Sequence, residues 1–183
     1  TLVVTPRSGV KDEANAVVNM GLPGLLSDLC GVEVEEYDSL PADGRNELKF
    51  TLPELASAPT ASASVWCDVL EPRGATVVAR YTQEYYAGRP AITLNKIEQG
   101  RVVYVGTVGD ADLYETLADW LLGLTEVEPV LPAPEGVEVT ERWQGASRLL
   151  FVLNHTEHAQ EVDLNVLYVD ILSGSASEGT VTI

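Results

Sequence analysis

Two histidines and two cysteines are all the imidazole and thiol chemistry this 183-residue chain offers, and their spacing limits what they can do. His155 and His158 lie in Asn154-His155-Thr156-Glu157-His158. That segment allows a metal-binding pair three residues apart or an Asn-x-Thr glycosylation acceptor. A metal site wants a third ligand on a rigid element, and none is evident. Glycosylation requires export. A polar loop joining two strands is therefore the favoured reading, since short motifs often match by accident. Cys30 and Cys67 are far apart and form no Cys-x-x-Cys, which suits buried free thiols in a reducing compartment better than a disulfide framework. A nucleophilic thiol on an α/β sheet needs a strand-to-helix elbow with a histidine nearby. Cys30 instead follows a short helical segment, Cys67 lies within a strand, and both histidines belong to the chain's last third.

Carboxylates are abundant, with 28 Asp and Glu against 11 Lys and Arg, a net charge of −17 and a pI near 4.3. Such a balance, without clustered basic residues, argues against nucleic acid and against anionic membrane surfaces. It also makes any single acid a poor catalytic candidate. Asn46-Glu47 superficially matches the Asn-Glu pair that carries the acid/base in many sugar-cleaving barrels, but it stands between Gly44 and a short strand, where chance is the better account. Gly106-Thr107-Val108-Gly109-Asp110 joins a strand to a helix start, where free N–H groups could receive an anion. Asp110 and Asp112 place negative charge at that spot, so a tight, capped turn is expected. No catalytic, cofactor-binding or metal-binding residue is assigned. The remaining candidate is an interface group, Tyr81, Tyr85, Tyr86 and Arg89, of the residue types favoured where a surface meets a partner. Core packing of one or two of these tyrosines is an equal alternative.

The elements that must position these residues follow from apolar period and turn chemistry. Strands are expected at 1–5, 32–37, 48–52, 65–70, 76–81, 91–95 and 101–105, with Gln99-Gly100 turning the last pair into a hairpin. Pro53 to Ser64, rich in Ala, Ser and Pro, reads as a loop. The clearest helix lies between Asp112 and Gly123, with Asp112 and Glu115 as a capping box and Leu113, Leu117, Trp120, Leu121 and Leu124 on one face. A second, short helix around 22–29 is closed by Gly31. Strands with capped helices between them indicate a layered α/β domain. Composition changes at 126–136, a Pro-rich connector, beyond which the pattern is all strand, with strands expected at 137–143, 148–153, 160–164, 167–172 and 180–183. No apolar run approaches the ~20 residues needed to cross a bilayer, no leader opens the chain, and the reading is a soluble, cytoplasmic protein. Because the first residues already read as a buried strand, a fragment of a longer polypeptide is expected.

Taken in order, Leu2-Val3-Val4-Thr5-Pro6-Arg7-Ser8-Gly9-Val10-Lys11-Asp12-Glu13, Leu22-Pro23-Gly24, Gly31-Val32-Glu33-Val34, Tyr85-Tyr86-Ala87-Gly88-Arg89-Pro90-Ala91, Gly100 through Thr107, and Leu150-Phe151-Val152-Leu153-Asn154-His155-Thr156 resemble the C-terminal half of bacterial β-galactosidases of glycoside hydrolase family 42. The resemblance implies a partial trimerisation domain over residues 1–131, with the flavodoxin-like, three-layer α/β fold of class I glutamine amidotransferases, truncated at its N-terminus. A small antiparallel, β-sandwich-like domain over residues 132–183 would follow. It implies a homotrimer in the full-length enzyme, with β-galactoside substrate bound by a catalytic barrel absent from this chain. Both catalytic glutamates of the family lie on that barrel, so the chain is expected to be inactive and to need no cofactor. Two other readings remain at this point. One is a carbohydrate-binding module in the terminal domain, which offers Trp143, Phe151 and Tyr168. The other is an independent amidotransferase-like enzyme.

Overall fold

The computed structural model describes residues 1–125 and 127–183; Glu126, the first residue of the expected connector, lies outside them. The chain divides into two compact units, Thr1–Thr125 and Glu126–Ile183.

In chain order the first unit contains β1 (Leu2–Val4), α1 (Ser27–Cys30), β2 (Val32–Ser39), β3 (Asn46–Phe50), β4 (Ala61–Pro72), β5 (Thr76–Tyr81), β6 (Pro90–Ile97), β7 (Gly100–Val105), β8 (Thr107–Gly109) and α2 (Ala111–Gly123). Its strands form one sheet in the order β1-β7-β6-β5-β3-β4-β2, with β8 paired to β4. Only β1 and β7 run parallel; the other described pairings are antiparallel. Both faces of the sheet are covered. One carries a core of Leu48, Val69, Val78, Tyr81, Ile92 and Val103 under Leu113, Leu117 and Trp120 of α2. The other buries Val4, Val32, Leu70, Val102 and Tyr104 around Cys30 of α1.

The expectation of a flavodoxin-like, amidotransferase-like three-layer domain is overturned. A doubly wound sheet is parallel and needs a helical crossover of a dozen or more residues between strands. Here most neighbours are antiparallel, and among the described residues only α2, with 13 residues, exceeds a single helical turn. The unit is predominantly β. Local differences have local causes. Register pairs Ile97 with Gly100, so the hairpin turn is Glu98-Gln99, with Glu98 at φ 50°. The stretch read as a loop holds a short 3₁₀ turn at Pro53–Leu55 and then the first residues of β4, where Ala61 and Ala63 are fully buried. Their small side chains give little strand signal, and they belong to the same core as Leu113 and Leu117 of α2. The helix cap is Asp110, whose Oδ1 accepts from Leu113 N at 2.9 Å, and not Asp112.

The described residues of the second unit form four strands: β9 (Val137–Gln144), β10 (Ser147–Asn154), β11 (Glu161–Val169) and β12 (Ala176–Thr182). They make two antiparallel two-stranded sheets, β9–β10 and β11–β12. The strands expected at 160–164 and 167–172 merge into the single irregular strand β11, which ends at Val169. Leu131, the last residue that the sequence assigns to the first domain, packs with Val162 and Leu164 in this unit's core. Among the described residues, no helix is long and apolar enough to cross a membrane.

Candidate functional site

The most elaborate side-chain arrangement of the first unit grows from a break in β4. Ala61 to Ala63 pair with β3, whereas Trp66 to Pro72 pair with β2. Between them Val65 adopts φ 63°, a left-handed conformation that is a genuine outlier for a β-branched residue. Beyond the break, Trp66 and Asp68 point to the same face, as residues two apart on a strand do. Trp66 Nε1 donates to Asp68 Oδ1 at 2.8 Å, and Tyr104 Oη donates to Asp68 Oδ2, also at 2.8 Å. Burial pushes the Asp68 carboxyl above its ordinary range, against the pull of these two donors and of Arg7. Above the sheet, Tyr37 stacks on Trp66 with centroids 4.6 Å apart and planes 17° apart. The Arg7 guanidinium carbon lies 5.0 Å from the same ring centroid, and Arg7 is also left-handed, at φ 62°. With both carboxylate oxygens engaged and the residue 3% exposed, Asp68 is built to hold Trp66 in place, and it offers no group to a substrate. The signal for this site is one carboxylate two residues after a tryptophan in the otherwise apolar run 65–70.

The four residues named from sequence as an interface separate. Tyr81 and Tyr86 are interior, at 1% and 2% exposure. Tyr81 Oη donates to the carbonyls of Asp68 and Gly106, each at 3.1 Å, and Tyr86 Oη donates to Asp38 Oδ2 at 3.1 Å. Burial drives both phenols well above their usual ionisation range. Tyr85 is exposed and packs edge-on against Tyr86. Arg89 is half-buried and ion-paired with Glu35 and Glu71. Only Tyr85 and part of Arg89 thus reach the surface.

The other candidates resolve into structure. Asn46 is fully buried, while its neighbour Glu47 points outward, so the two do not face one pocket. Asp110 Oδ2 accepts from Ser62 N at 2.9 Å, filling the turn that had suggested an anion site. Cys30 and Cys67 belong to the cores on opposite sheet faces, and burial raises both thiols above their normal range. Asn154 Nδ2 donates to the carbonyls of His158 and Ile183, and its Oδ1 accepts from Thr156 N and Oγ1; the segment is a closed polar turn. No group of three or more His, Cys, Asp or Glu is placed to hold a metal among the described residues. Trp143 lies directly opposite Arg148 across the β9–β10 pair and Phe151 opposite Thr140. With alternating side chains, Trp143 and Phe151 therefore occupy opposite faces of that sheet and make no flat aromatic row.

Comparison with known proteins agrees along the whole chain. The β-galactosidase trimerisation domain family matches residues 1–128, and the β-galactosidase C-terminal domain family matches residues 136–183. β-Galactosidase BgaP of Planococcus sp. (strain L4) is 35% identical over 187 residues, which cover 100% of this chain and 27% of that protein. The crystal structure of β-galactosidase from Bacillus circulans sp. alkalophilus is similar with a TM-score of 0.84 at 33% identity, over 99% of this chain and 27% of that one. The polyextremophilic β-galactosidase of the Antarctic haloarchaeon Halorubrum lacusprofundi is similar with a TM-score of 0.68 at 28% identity, again over 99% and 27%. The chain spans about a quarter of the length of these relatives. With the trimerisation-domain match running through the whole first unit and the C-terminal-domain match covering most of the second, this chain belongs to the β-galactosidase trimerisation domain family and carries a β-galactosidase C-terminal domain behind it.

Proposed function

We propose that this chain is the assembling, non-catalytic part of a β-galactosidase. Its first unit joins three copies in a closed ring through a heterologous interface, while residues outside this chain hydrolyse terminal β-linked galactose. The observation that carries the reading is the trimerisation-domain match over residues 1–128. The closed environment of Asp68 supports it, since a glycosidase needs two carboxyl groups facing one substrate, roughly 5–10 Å apart. Tyr85 is the member of the tyrosine group left free to contribute to the interface. A cytoplasmic location is part of the proposal and fits two buried, unpaired thiols. Incubation with a chromogenic β-galactoside is expected to give no turnover above buffer. Sustained hydrolysis that co-purifies with the chain, and is lost when it is unfolded, would overturn the non-catalytic assignment.

A further inference from the structure

We infer that the ridge formed by Arg7, Tyr37, Val65 and Trp66 is a contact through which one copy of this chain seats on the next. This rests on the trimer reading proposed above and names the surface that reading requires.

Three observations carry it. First, the residue types are those that dominate binding energy at protein interfaces, tryptophan, tyrosine and arginine, placed with an aliphatic neighbour. Tyr37 and Val65 are each 57% exposed, Tyr37 on the edge strand β2 and Val65 at the break in β4. Second, the ridge is rigid before any partner arrives. Trp66 is stacked by Tyr37, approached by Arg7 and pinned through Nε1 to Asp68, itself fixed by Tyr104. A side chain already held in one rotamer loses little entropy on binding. Third, Arg7 and Val65 are two of the five non-glycine residues with positive φ among the described residues. Conformations of this kind cost about 1–3 kcal/mol and persist where the surroundings impose them, commonly at functional positions. Here both flank the one indole.

The occupant follows from the chemistry of the ridge. A sugar would need an open aromatic face, but Tyr37 and Arg7 already pack on the Trp66 ring. Nucleic acid and anionic lipid are repelled by the adjoining β2, which carries Glu33, Glu35, Glu36 and Asp38. An exposed tyrosine and valine around a half-buried, fixed indole suit a protein surface that offers an apolar hollow. The trimerisation-domain match names a second copy as that protein.

The test compares oligomer dissociation of the full chain by sedimentation across a dilution series. Tyr37→Asp should raise the dissociation concentration by about tenfold or more, the scale of a hot-spot loss. Val65→Asn separates fold from contact. Asparagine tolerates the left-handed region better than valine, so resistance of the dissociated chain to urea should hold or rise while association weakens by a similar factor. Leu122→Ser, on the exposed side of α2, should change association by no more than about twofold, as ordinary surface substitutions do. A wild-type trimer whose dissociation is moved by neither Tyr37→Asp nor Val65→Asn overturns the ridge and leaves the trimer reading standing. A wild-type chain that stays single at every concentration overturns both.

Discussion

Replacing Asn46 with alanine isolates what an Asn-Glu pair does in this chain. Asn46 is fully buried; its Nδ2 donates to the carbonyl of Gln83 at 3.0 Å, and its Oδ1 accepts from Gln83 N at 3.1 Å and Thr82 N at 3.3 Å. It therefore staples the start of the segment that carries Tyr85, Tyr86 and Arg89 to β3. Thr82 N keeps a second acceptor, the carbonyl of Glu47 at 3.0 Å, so alanine leaves one N–H and one carbonyl, both of Gln83, without a partner. Each such loss costs about 1–3 kcal/mol when fully buried. Gln83 itself is exposed, so water replaces part of what is lost and the expected total is about 1–2 kcal/mol. Asn46→Asp should cost more at neutral pH, because it removes the donor and buries a charge, and should recover as the pH falls and the carboxyl is protonated. Glu47→Gln, on the exposed side of the same strand, should stay within about 0.5 kcal/mol. Urea unfolding followed by tryptophan emission measures all three. Equal effects of Asn46→Ala and Glu47→Gln, or a cost for Asn46→Ala below about 0.5 kcal/mol, would refute the stapling role.

Asp68 should leave a signed pH signature. Burial raises its folded pKa above the ordinary carboxylate value of 3.8, so its contribution is fully present below that value and is lost as pH rises through the folded one. Wild type measured against Asp68→Asn should accordingly lose relative stability with rising pH across that window; a flat or rising difference would contradict the buried carboxylate. Asp110→Ala removes both the α2 cap and the acceptor of Ser62 N and should cost about 2 kcal/mol in thermal or urea unfolding, whereas Asp112→Ala should cost no more than a few tenths. A net charge of −17 implies self-repulsion that salt screens, so the melting temperature should rise between low and molar KCl, and an unchanged or falling value would show that charge repulsion is unimportant. Cys30 and Cys67, buried and shifted upward, should resist iodoacetamide at neutral pH until the chain is unfolded; prompt labelling of the native chain would show that either thiol is open.

Much of the strand inventory was legible because β-branched runs such as Thr76-Val77-Val78 and Val102-Val103-Tyr104-Val105 carry their own signal. The arrangement of these elements into layers was not legible. A capped amphipathic helix at 111–123 invites a wound α/β architecture, but strand direction is decided by long-range pairing that no local window contains. Small buried residues escaped for a related reason: Ala61 and Ala63 look like loop composition and reveal their role only beneath α2. The interface group split because Tyr81 and Tyr86 send their hydroxyls to partners distant in sequence, Gly106 and Asp38, while Tyr85 between them turns outward. Trp66 and Asp68 were visible as neighbours in a strand, but their junction with Arg7, Tyr37 and Tyr104 depends on the partner switch at Val65.

Assembly of this chain into a trimer is the property on which its role depends. The chain's molar mass in solution, measured by multi-angle light scattering as the protein leaves a sizing column at moderate salt, tests that directly. Three times the chain mass of 19.7 kDa is the predicted result, and a steady value of one chain mass at high loading would contradict it.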